Sequence, residues 1–212
     1  MPATTSSDTI SPSTLPFRLT DVLDEVFSLY AAPNSATQKN VFKKRYHPDA
    51  IFEDPIFRVY TARDREAQFA SLPSIFPRIE ISRGHNASDI KIYNVTAQDA
   101  RKDGLPQSLS QSPLVRIEIP NTQRYYMPKL LNYVPLSPTK VDIECVTRLT
   151  VLRDSGRVVK HQDVWKQTGE HLLGALPLVG GPSAAVYALL KGPIGKGSSL
   201  GLRGMESIGL LK

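Results

Sequence analysis

The sequence predicts an α+β fold with helices packed on one face of an antiparallel sheet. Two observations predict it. Apolar residues recur at helical spacing in the first third of the chain, and from Pro77 onward the pattern changes to β-rich, alternating runs. The order is therefore helix, helix, short strand, helix, then a run of long strands.

The first helix is expected over Phe17 to Ala31, where Leu19, Val22, Leu23, Val26, Phe27 and Tyr30 form one stripe. Thr20 or Asp21 is placed to cap its start, and Pro33 lies just beyond its end. A shorter, basic helix follows from Ser35 to Tyr46, and a brief strand, Ala50–Glu53, is closed by Asp54-Pro55. A third helix is expected from Ala62 to Ile75. Strands are then expected at Arg78–Ser82, Lys91–Val95, Leu114–Ile119, Tyr125–Val134, Val141–Arg153 and Arg157–Trp165, with a polar loop over Asp99 to Pro113.

The chain has 212 residues, 41% apolar and 22% charged, enough for one ordinary domain with a real core. Its net charge of +6 calls for a test of nucleic-acid binding. The basic residues are scattered, and no nucleic-acid-binding motif accompanies them, so a solvated basic surface and no nucleic-acid partner are expected. The single cysteine, Cys145, excludes an internal disulfide framework and reads as a buried thiol. His47, His85, His161 and His171 lack metal-ligand spacing, so neither metal nor cofactor is expected. Residues 1–16 read as a disordered arm without a secretory core, which points to a cytoplasmic protein.

Ten of the 13 glycines lie between Gly169 and Lys212. Residues 169–212 are thus expected to form a Gly-rich apolar tail after a domain spanning 17–168. Within that tail, Leu172–Leu190 holds 19 residues without a formal charge, broken by Pro177 and Gly180-Gly181-Pro182. Three readings stay open: a cover for the domain or a homodimer surface, a segment lying on a membrane surface, or a membrane span.

The run Lys43-Lys44-Arg45-Tyr46-His47-Pro48-Asp49 resembles the signature of a J-domain. That family needs a helix next, and Ala50-Ile51-Phe52-Glu53-Asp54-Pro55 has neither the period nor the composition of one. A turn into a strand is expected instead, because Pro48 disfavours helical geometry at His47. A second resemblance rests on Tyr46, Asp49, Ala50, Phe52, Asp54 and Pro55, and on Gly156, Arg157, Val158, Val159, His161, Asp163 and Trp165. These residues resemble the nuclear transport factor 2-like superfamily, in particular its SnoaL-like and sigma-factor-F-like domains, over Phe17 to Lys166. The resemblance implies a cone: a curved antiparallel sheet with the N-terminal helices in its concave face, around an apolar pocket. It also implies either a cofactor-free dehydratase, isomerase or cyclase acting on an apolar carbonyl compound, or a non-catalytic ligand-binding scaffold.

The last two strands flank Asp154-Ser155-Gly156, a three-residue turn with Gly156 in the left-handed position. That register sets Val151 against Val159, Leu149 against His161, Thr147 against Asp163 and Cys145 against Trp165. Alternation gathers Val159, His161, Asp163 and Trp165 on the inner side and leaves Val158, Lys160, Gln162 and Val164 on a wetter side. His161 and Asp163 then stand about 7 Å apart along one strand. Asp163 is the candidate base and His161 its orienting partner or the acid. Asp54 and Tyr60 are candidates for a second acid or for a hydrogen bond to an enolate. Trp165, Tyr60 and Phe52 are the candidate ligand contacts. The same pair also fits a structural hydrogen bond, or a salt bridge to Arg148 or Arg116.

Overall fold

The structure is a computed structural model and describes residues 9–55, 58–83, 89–126 and 139–166. The arm up to residue 8, residues 127–134 of the strand expected over 125–134, and the tail at 169–212 lie outside the described residues. Among those described, five helices and seven strands form an α+β domain with one open, curved sheet. No helix among them is long and apolar enough to cross a membrane.

Helix α1 (Leu19–Ala31) buries Val22, Leu23, Val26, Phe27, Leu29 and Tyr30, as its apolar stripe requires. It starts after Arg18, which makes no capping bond with its side chain, so neither Thr20 nor Asp21 serves as the cap. Helices α2 (Ser35–Arg45) and α3 (Ala62–Ile75) are capped by Asn34 and Thr61, which accept from Thr37 N at 2.9 Å and Asp64 N at 3.1 Å. Each such cap contributes about 1 kcal/mol.

The sheet order is β2 (Arg58–Val59), β1 (Tyr46–Glu53), β7 (Val158–Trp165), β6 (Lys140–Leu152), β5 (Leu114–Tyr126), β3 (Arg78–Arg83), with β4 (Lys91–Val95) also on β5. All pairings are antiparallel except β1 with β7, which is parallel. No hairpin links those two, so turn geometry does not dictate their direction. Strand β5 is one continuous strand where the sequence suggested two. Pro120 falls between the stretch paired to β4, ending at Glu118, and the stretch paired to β3, beginning at Asn121. A residue without an N–H costs least at such a gap in the ladder.

The His-Pro-Asp tripeptide is a bulge. Tyr46 pairs with Val158 and Ile51 with Lys160, five steps on β1 against two on β7, so three residues loop out. They are His47, Pro48 and Asp49, with the last two exposed. Arg65 braces the loop from beneath. Its buried guanidinium donates to the carbonyl of Ala50 and, at 3.5 Å, to that of His47, and lies over the rings of Phe42 and Tyr46.

Two expectations are corrected on the outer face. The segment read as a polar loop folds into α4 (Ala97–Lys102) and α5 (Gln107–Ser110). Ala100, Leu105 and Leu109 pack there on Ile51, Leu114 and Val159 as a second small core. Three apolar residues spread over ten positions show no readable period. Under this cover Lys160 is only 5% exposed rather than wet, with its ammonium 3.2 Å from Glu53 and 3.4 Å from Asp103. The β6–β7 register slips between Thr150 and Val151, so Val158, not Val159, shares the inner face with His161.

Candidate functional site

The turn is one residue longer than expected, with Leu152 N–H donating to Arg157 O, and the slip beyond it restores the expected pairs: Leu149 opposes His161, Thr147 opposes Asp163 and Cys145 opposes Trp165. Gly156 has φ +68°, and a Cβ there would sit 2.9 Å from the Phe17 ring. Strand alternation then turns His161 and Asp163 inward, under α1 and beside β1. Their exposures are 0% and 3%.

Each strand and helix around them supplies one polar side chain. From α1, Tyr30 donates its hydroxyl to Asp163 Oδ2, with its oxygen 3.1 Å from His161 Nε2. From β1, the Tyr46 hydroxyl lies 2.7 Å from His161 Nδ1. Thr147 of β6 donates to Asp163 Oδ1 at 2.6 Å, and Gln123 of β5 donates its amide to Oδ2 at 3.2 Å. His161 Nε2 stands 3.6 Å from Asp163 Oδ1, half the distance expected along a flat strand.

The proton positions follow from the inventory of donors. Tyr30 has spent its proton on Asp163, so His161 Nε2 carries the hydrogen that faces the Tyr30 oxygen. Every polar atom of the pair is engaged. Burial works to raise the Asp163 carboxyl, but the donor on His161, with those of Thr147 and Tyr30, outweighs it and holds the acid below the usual carboxylate range. Burial first, and then the Asp163 charge, push the Tyr30 and Tyr125 phenols well up. Burial and the same charge push the Cys145 thiol up, in keeping with an inert buried group.

The other candidates are dispersed. Phe52 is buried against the pair, its ring edge-on to His161 at 5.0 Å. Asp54 sits half-buried just past β1, accepting from Gln68 at 3.3 Å. Tyr60 is 52% exposed beneath the Arg58 guanidinium and does not join the cluster. Trp165 is half-buried, and its Nε1 is buried without a hydrogen-bond partner among the described residues. Arg148 and Arg116 point to the outer face, where they pair with Glu118 and Asp103, so neither forms a salt bridge to Asp163. Sequence reasoning missed Tyr30, Tyr46 and Gln123 as polar partners. Tyr30 was counted in the apolar stripe, and Tyr46 as a helix end. Thr147 could have been found, since the hairpin register already placed it opposite the acid.

An acid, an imidazole and two phenols buried under helices in a curved sheet define an α+β cone with a polar floor. No protein-family model and no curated protein matches the sequence. Among solved structures, a Kribbella flavida protein is similar over 72% of this chain and 92% of its own, at 7% identity and TM-score 0.51. A Catenulispora acidiphila protein with a ketosteroid isomerase-like fold, solved with trimethylamine, aligns over 81% of this chain and 98% of its own (10% identity, TM-score 0.47). An NTF2-like protein of unknown function from an Exiguobacterium species aligns over 69% and 99% (9% identity, TM-score 0.46). At these identities the likeness is one of fold. The chain shares the α+β, curved-sheet fold of the Kribbella flavida protein.

Proposed function

We propose that the protein binds an apolar small molecule at the open end of its concave face. The observation that carries this is the Trp165 indole N–H, a buried donor with no partner among the described residues. An unpaired buried donor costs about 1–3 kcal/mol, which an acceptor on a guest recovers. Like Trp165, the apolar residues Leu72, Phe76, Ile81 and Val141 pack on the core yet remain partly exposed. The test is untargeted mass spectrometry of compounds released from the purified full chain, beside Trp165 emission across a panel of apolar phenols and ketones. A bound compound is expected in the wild type and depleted in Trp165→Ala. Absence of both a released compound and an emission change sinks the proposal.

A second reading, a cofactor-free dehydratase, isomerase or cyclase on an apolar carbonyl compound, is favoured by Asp54. That half-buried carboxylate acts electrostatically on Tyr125 from the end of β1. It is half-buried where Asp163 is fully enclosed, so a guest can approach it. On an identified substrate, Asp54→Asn is expected to abolish turnover with the fold intact. Full activity in that variant removes the reading.

A further inference from the structure

The buried cluster extends outward through two residues of β5. Gln123 Nε2 donates to Asp163 Oδ2 at 3.2 Å, and the Tyr125 hydroxyl donates to Gln123 Oε1 at 2.7 Å. The directions are forced. An ionised carboxylate has only lone pairs, so Gln123 must turn its NH₂ toward Asp163 and its oxygen toward Tyr125. Tyr125 then has one place for its single proton, on Gln123, and burial keeps that phenol protonated. Whatever meets the Tyr125 oxygen next meets a lone pair.

We propose that this relay makes Tyr125 an acceptor and selects guests that carry an O–H or N–H group, hydroxylated apolar molecules above all. The inference deepens the binding role proposed above and rests on it. Tyr125 lies at the end of β5 with Phe76 against its ring at 4.8 Å, and Ile79 and Val141 are its partners on the neighbouring strands. Trp165 closes β7 on the same inner face. A guest hydroxyl donates to Tyr125 and keeps its own lone pairs for a second partner. A ketone or ether oxygen has no proton to give and sets two lone pairs against each other at Tyr125. A site built to pair with a donor discriminates against an analogue lacking it, because its own polar group is left unpaired.

The test uses the full chain and two probes, 2-naphthol and 2-methoxynaphthalene, which share the ring and the oxygen and exchange the donor hydrogen for a methyl group. Trp165 is the single tryptophan, so its emission reports binding. The naphthol is expected to bind about tenfold tighter than the ether, the factor for one hydrogen bond. Tyr125→Phe, with its circular dichroism unchanged, is expected to bring the two affinities together. Equal affinities in the wild type overturn the relay, and they do so whether or not the variant folds. A tenfold preference that survives in a folded Tyr125→Phe overturns it too. If neither probe alters Trp165 emission, the binding role itself fails, and the selectivity fails with it.

Discussion

Thr147 and Asp163 face each other across the β6–β7 ladder, and the threonine hydroxyl donates to the carboxylate at 2.6 Å. This contact, with those from Tyr30 and Gln123, turns a buried negative charge into a fixed part of the interior. Buried charges of this kind stabilise little in total but cost much when half of the arrangement is removed.

Asp163→Asn points an amide N–H₂ at groups that are themselves donors. We expect a loss of about 3 kcal/mol in denaturant unfolding. A change under 0.5 kcal/mol would show that the network contributes nothing to folding.

The same carboxyl sets an acid limb. Its folded-state pKa lies below the ordinary value of 3.8, so the unfolded chain binds the proton more readily. Its contribution is therefore complete above about pH 4 and is lost as pH falls through the depressed folded value. Thermal melts of the wild type should fall steeply below about pH 4, and Asp163→Asn should flatten that fall. Parallel curves would contradict the assignment.

Gly156 is constrained twice, by its φ of +68° and by the Phe17 ring at 2.9 Å from any added Cβ. Gly156→Ala should cost about 1–2 kcal/mol and open the hairpin. Retention of the wild-type Tm would mean that the turn and Phe17 give way freely.

Arg65 should prove local in effect. Arg65→Met leaves the carbonyls of His47 and Ala50 without their donor, and amide exchange should quicken in the Tyr46–Phe52 stretch before it does in β5 or β6. Uniform acceleration across the sheet would point to global destabilisation instead.

Much of this architecture is legible in the sequence. The α1 stripe, the bounds of α3 and β4, the left-handed Gly156 and three of four hairpin pairs follow from period and turn chemistry alone. What was not legible depends on distant partners. Lys160 reads as a solvent residue until α4 and α5 are seen to cover it. Val158 and Val159 exchange faces because of a one-residue slip that no alternation rule anticipates. Tyr30 and Tyr46 look apolar in pattern, and their hydroxyls acquire meaning only once β7 brings His161 between them, 131 and 115 residues further on.

The parallel union of β1 with β7 sets an order of events during synthesis. Strand β7 is flanked by β1 and β6, so nothing made early can settle beside it until residue 165 has left the ribosome. Until then β1, with Phe52, lacks its β7 neighbour in the sheet, while α1 can already lie against β3. Pairing strands more than a hundred residues apart in sequence raises the entropy cost of closing the fold, a cost that slows folding in general.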